Sequence, residues 1–176
     1  MQTRRAFTLV EILMVVLILA ITSAIIVPQI GSRDDLKAAA AARVMMADMI
    51  WAQNRAITTQ QKQFVIFTGQ SYSLYYMDSS STLHQSTNPV TQLPYTTSFG
   101  VKNTPLTDVS IGTGSFAAQP SLCFDEMGVP YGYDGAVPYD GTNPAQMTSA
   151  GTIQLTCGVQ KLTVTIEGYT GETSVQ

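Results

Sequence analysis

This 176-residue sequence predicts an α+β protein: a long amino-terminal helix, half of membrane type and half amphipathic, packed on antiparallel β-sheet. Three observations carry that prediction. Residues 7–28 are almost wholly apolar. Residues 34–59 are rich in strong helix formers and contain neither Gly nor Pro. From Gln63 onward the chain changes to short runs of β-branched and aromatic residues punctuated by Gly and Pro.

The first element is the apolar stretch. Between Phe7 and Pro28 only Thr8, Glu11, Thr22 and Ser23 interrupt the apolar side chains. As a helix the stretch is about 33 Å long, enough to cross a bilayer core. Its fourteen Leu, Ile, Val and Phe residues favour insertion by roughly 4 to 8 kcal/mol, against a cost of roughly 3 kcal/mol for Glu11. An acid at such a position marks function by default and calls for a cationic partner, and no cation lies within the segment. Arg4 and Arg5 stand just before it, while Arg33, Asp34, Asp35 and Lys37 after it are mixed in sign. That asymmetry places the amino terminus in the cytoplasm and the rest of the chain on the other side.

The segment Arg5-Ala6-Phe7-Thr8-Leu9-Val10-Glu11, followed by an apolar run and Pro28, resembles the amino-terminal signature of type IV pilins and type II secretion pseudopilins. The resemblance implies a leader over 1–6, removed by a prepilin peptidase between Ala6 and Phe7, and methylation of the new Phe7 amine. It also implies that Glu11 meets that amine on a neighbouring subunit of a filament and that Pro28 kinks the helix near the membrane exit. Ala6 departs from the pattern, where Gly is usual, but keeps the small size. Opposite charges about 4 Å apart attract by roughly 4 kcal/mol at an effective dielectric of 20, so the implied pairing is physically sound. Two other readings of the segment stay open: a secretory signal peptide cut near Thr22-Ser23-Ala24, and an ordinary single-pass anchor.

After Pro28, Gln29-Ile30-Gly31-Ser32 fits either a kinked continuous helix or a short break. The soluble helix then runs to about residue 60, with Ala39, Ala42, Met46, Met49, Ile50 and Ile57 on one face, expected to cover a sheet. Asp48 and Arg55 fall nearly opposite. Val44 and Trp51 lie on that far side too, and a loop of the same chain is expected to cover Trp51.

The β-rich part is expected to form one domain over 61–176. Gln63 to Thr68 and Ser71 to Met77, joined by Gly69-Gln70, read as a hairpin. Further strands are expected around Val109 to Ile111, Leu122 to Phe124, Thr152 to Cys157 and Leu162 to Ile166. Residues 78–108, dominated by Ser, Thr, Pro, Asn and Gln, read as a long surface loop. The order of helix and hairpin, with Asn54-Arg55-Ala56 running into Phe64-Val65-Ile66-Phe67 and the ending Thr170-Gly171-Glu172, resembles the GspH/FimT group of minor pseudopilins.

The formal net charge is −3, and loss of Arg4 and Arg5 takes it to −5, so no basic footprint for nucleic acid is present. A non-cytoplasmic location permits oxidation of Cys123 and Cys157, and a disulfide between them is expected ahead of two buried thiols. Asp134, Asp140 and Asn143 on a glycine-rich stretch keep calcium open, although no EF-hand pattern is present and turn chemistry outweighs it. His84, the single histidine, reads as solvated surface. With no nucleophile and base to name, neither an enzyme nor a cofactor is expected. The resemblance implies a minor pseudopilin of a type II secretion system in a bacterial inner membrane, with sister subunits, prepilin peptidase, an inner-membrane platform and a cytoplasmic ATPase as partners. A minor pilin serving pilus assembly, adhesion or DNA uptake is the alternative, and a signal-anchored periplasmic binding domain a more distant one.

Overall fold

A computed structural model of the chain describes residues 7–30, 33–102, 104, 106–140 and 144–176, and within the first helix the side chains up to residue 23. Two compact units result, one ending at Arg33 and one beginning at Asp34. The first is helix α1 (Leu9–Ile30), which contains Pro28 in its last turn. Every described side chain from Phe7 to Ser23 is exposed. Among the described residues no helix is long and apolar enough to cross a membrane. The expectation of a span over 7–28 rests on the sequence, since the side chains beyond Ser23 lie outside the described set.

The second unit opens with α2 (Asp34–Thr59), and Gly31 and Ser32, where a kink or a short break was expected, lie outside the described residues. Among the described residues eleven strands follow: β1 (Gln63–Thr68), β2 (Ser71–Met77), β3 (Leu83–Gln85), β4 (Thr96–Ser98), β5 (Val109–Ile111), β6 (Ser121–Phe124), β7 (Pro130–Tyr133), β8 (Ala145–Gln146), β9 (Gly151–Cys157), β10 (Gln160–Ile166) and β11 (Thr173–Val175). They make two antiparallel sheets. The first has the order β3-β2-β1-β6-β7-β8, with β4 sharing the β2 edge, and the second the order β11-β10-β9-β5. The α+β expectation holds, as does the β1–β2 hairpin, in register from Gln63 opposite Tyr76 to Thr68 opposite Ser71. Gly69 turns it in the left-handed region, at φ 59°.

Helix α2 packs on both sheets, against β1 and β6 of the first and β9, β10 and β11 of the second. The face it buries is not the expected one. Ala38, Ala41, Ala42, Met45, Asp48, Met49, Ala52 and Ala56 point inward, while Ile50 and Ile57 are 44% and 43% exposed. The helix is therefore turned by about one residue from the face that Met and Ile alone would choose, roughly 100°. Small alanines let α2 approach the strands closely, and Asp48 is drawn inside because hydroxyls await it. Tyr72 donates to its Oδ2 at 2.6 Å, Thr97 to Oδ2 at 2.8 Å and Tyr95 to Oδ1 at 2.8 Å. A buried polar group satisfied this fully is tolerated where an unpaired one is not.

Two of those hydroxyls come from the stretch expected to be a long loop. Instead of a structureless 78–108, the chain adds β3 and β4 to the β2 edge and sends Tyr95 and Phe99 into the core. Between the two short strands a hairpin projects from Leu74, which accepts from Ser86 N at 2.8 Å and donates to Tyr95 O at 3.1 Å. Trp51 is covered from within the chain, its ring 4.8 Å from that of Tyr95.

The sheets differ in how they are covered. In the second, β9 alternates buried and exposed residues, with one face on the core. In the first, both faces of the central strands β1, β6 and β7 are largely buried, because Phe64, Ile66, Cys123 and Tyr133 form an outer cluster that includes Tyr139 of the β7–β8 connection. Gln70, in the β1–β2 turn, clasps the other sheet: its Nε2 donates to Ile111 O at 3.1 Å and its Oε1 accepts from Ile111 N at 2.7 Å. Gly132 is required where β7 passes Phe116, since a Cβ there would lie 1.9 Å from the Phe116 carbonyl oxygen.

Asp48→Ala is expected to lower stability by about 3 kcal/mol, because two buried phenol groups lose their acceptor; the urea midpoint reads it. The same network predicts alkaline lability. Burial first, then the Asp48 carboxylate, pushes the phenols of Tyr72 and Tyr95 well above their ordinary value of 10.0. The unfolded chain ionises them near that value while the folded chain keeps its protons, so stability is intact below it and falls as pH rises through it. Urea midpoints measured from about pH 8 to 11 are expected to decline less steeply in Tyr72→Phe than in the parent.

Candidate assembly site

The site expected from the sequence lies at the start of α1. Phe7 and Thr8 precede the first helical residue and are exposed, so the chain enters the helix as non-helical backbone. Ala6, with Arg4 and Arg5 before it, lies outside the described residues. Thr8 caps the helix: its Oγ1 accepts from the Glu11 amide at 3.3 Å, and its carbonyl accepts from Glu11 N at 3.1 Å and Ile12 N at 3.2 Å. This is the Thr-x-x-Glu spacing of a capping box, legible in the sequence and unread there. It places the Glu11 carboxylate in the first turn, where the helix dipole favours a negative charge by roughly 0.3 to 1 kcal/mol.

Glu11 is exposed, and among the described residues it has no side-chain hydrogen bond or ion pair. The cap holds the Glu11 backbone and leaves its exposed carboxylate free, on a helix whose other described side chains are mostly apolar and exposed.

The other residues singled out from the sequence are dispersed. Cys123 and Cys157 are both free and buried, on β6 of the first sheet and β9 of the second. Cys123 belongs to the outer cluster and Cys157 to the main core, so the expected bridge is not formed. The expectation of a shared oxidising compartment favoured a pair, and only the topology separates them. Burial pushes both thiols up, that of Cys157 further through Asp34 beside it at 3.8 Å.

Asp134 Oδ1 accepts from Ala136 N at 3.0 Å, the turn chemistry that outweighed calcium in the sequence. Asn143 lies outside the described residues, and among these no cluster of three or more His, Cys, Asp or Glu is placed to hold a metal. His84 is exposed, pairs with Asp78 at 2.8 Å and stacks on Tyr76 at 5.4 Å. Backbone donation from Thr82, then His84, holds the Asp78 carboxyl below its ordinary range.

The amino-terminal motif and the fold each resemble those of type IV pilin-like proteins. Residues 1–27 match the family described as the prokaryotic N-terminal methylation motif. The structure is similar to that of the minor pseudopilin EpsH from the type 2 secretion system of Vibrio cholerae, with a TM-score of 0.55. The two chains are 12% identical, and the match covers 80% of this chain and 96% of that one. No curated protein matches the sequence significantly.

The free thiols make a direct prediction. Alkylation is expected to label neither cysteine in the folded protein and both in denaturant, with an intact mass unchanged by reduction. A mass gain on reduction would establish a bridge instead.

Proposed function

We propose that this chain is a minor pseudopilin, similar to the GspH/FimT group, that assembles into a periplasmic pseudopilus of a type II secretion system and supports protein secretion. The observation that carries the reading is the methylation motif leading into an exposed apolar helix whose first turn holds Glu11. In this proposal residues 7–28 anchor the precursor in the inner membrane with the globular domain in the periplasm. A prepilin peptidase cuts between Ala6 and Phe7 and the Phe7 amine is methylated. Glu11 then pairs with that amine on a neighbouring subunit, which favours a staggered arrangement of helices, and Pro28 serves as the bend toward the membrane exit.

The partners are sister subunits, the inner-membrane platform and its cytoplasmic ATPase. The role is mechanical, with no catalytic step and no cofactor, and the acidic balance gives nucleic acid no footing.

Intact mass of the protein purified from its native membrane, with and without the prepilin peptidase, tests the proposal. A chain beginning at methylated Phe7 only when the peptidase is present is the expected result. Full-length protein in both strains would reject the pilin reading, and a start near Ile25 would mean an ordinary secreted domain. Glu11→Leu is expected to leave cleavage intact and to abolish crosslinking to neighbouring subunits. Survival of crosslinking in that variant would show that the carboxylate has another role.

A further inference from the structure

Along one side of α2 runs a row of stacked groups that the assembly proposal does not use. The Arg55 guanidinium carbon lies 5.1 Å from the centre of the Trp51 ring and 5.9 Å from that of Tyr76. Tyr95 extends the row beyond Trp51, and His84 extends it beyond Tyr76. Arg55 and Trp51 are one helical turn apart, and Tyr76 is brought alongside by β2, so two rings from two elements hold one planar cation in place.

That cation has no counter-ion among the described residues. Among the described residues the ion pairs are Lys37 with Asp108 and His84 with Asp78, and no side-chain hydrogen bond is made by Arg55. Its Nε is buried without an acceptor, while the residue as a whole is only half-buried. A guanidinium carries five donors in a rigid fork, and stacking on rings satisfies none of them. The arrangement orients the fork and leaves it unfilled.

The chemistry of the missing group follows from its surroundings. A phosphate would call for more than one cation. Arg43 lies 12 residues earlier on α2, about 18 Å along the axis, and Lys62 lies beyond the helix end in a cavity with Asp125 and Glu126. The neighbouring His84 is already held by Asp78. A single planar cation beside aromatic faces matches a single carboxylate, which an arginine fork binds in plane. We propose that Arg55, set by Trp51 and Tyr76, is a receptor for one carboxylate, supplied by an acidic side chain or chain terminus of a neighbouring protein or by a free small carboxylate. Only the first source rests on the assembly reading.

Trp51 is the single tryptophan of the sequence, so its emission reports on this site alone. Full-length protein in detergent micelles is titrated at constant ionic strength with sodium acetate, with an Ala-rich peptide acetylated at its start and amidated at its end that carries one glutamate, and with its equally blocked glutamine counterpart. A saturable change with the carboxylate probes and none with the glutamine peptide is expected. Arg55→Met is expected to remove it, and Arg55→Lys to weaken it roughly tenfold, because the ammonium keeps the charge but not the fork. Tighter binding of the glutamate peptide than of acetate assigns the carboxylate to a protein chain; equal binding assigns it to a free carboxylate. No saturable change with either probe, or an unaltered response in Arg55→Met, overturns the proposal. Should Arg55→Met fail to fold, an unaltered affinity in Arg55→Lys overturns it equally. The titration is independent of cleavage at Phe7, so a saturable response in a protein that is never processed would keep this site and reject the assembly reading.

Discussion

The globular unit depends on one buried carboxylate. Asp48 sits at the middle of α2, and the three hydroxyls that donate to it come from β2, from the residue just before β4 and from β4 itself. One acceptor therefore joins the helix, an inner strand of the first sheet and the connection that adds two edge strands. The rotation of α2 follows from it. Once Asp48 is inside, the residues flanking it on the same face are alanines and methionines, and Ile50 and Ile57 are turned outward.

This explains which parts of the fold were legible. The hairpin β1–β2 and strands β5, β6, β9 and β10 announced themselves through β-branched and aromatic runs bounded by Gly or Pro. The extent of α2 followed from helix formers without breakers. Its buried face did not, because hydrophobicity places an aspartate outside unless its partners are known, and Tyr95 and Thr97 are some 50 residues away in a segment whose composition reads as loop. β3, β4, β7, β8 and β11 are two to four residues long and, unlike the equally short β5 and β6, hold no more than one Leu, Ile, Val or Phe each. Their positions are set by the strands they join rather than by their own side chains.

At the amino terminus the position was reversed. Phe7, Glu11 and Pro28 stood out at once because an acid in an apolar run has little other explanation, and the methylation motif over 1–27 coincides with that stretch. The structure adds Thr8, which gives Glu11 a local role in starting the helix beside any intermolecular one. The cysteines show the opposite limit. Two thiols in one sequence suggest a pair, yet placement in different sheets is a property of topology that spacing does not carry. The stacked Arg55 was half visible, since Trp51 and Arg55 share a helix face at i and i+4, but Tyr76 reaches them only through the fold.

The hairpin between β3 and β4 has a base and a tip of different character. At its base, Ser86 and Tyr95 bond to each other and to Leu74, and Tyr95 is buried on Asp48. At its tip, Val90 and Leu93 are 88% and 63% exposed, and no Asp, Glu, Lys or Arg occurs from Ser79 to Val101. Because the base alone secures the segment, the six residues from Asn88 to Leu93 are insulated from the energetics of the core. Selection can rewrite that tip, lengthening it or changing its chemistry, at little thermodynamic risk to the rest of the domain.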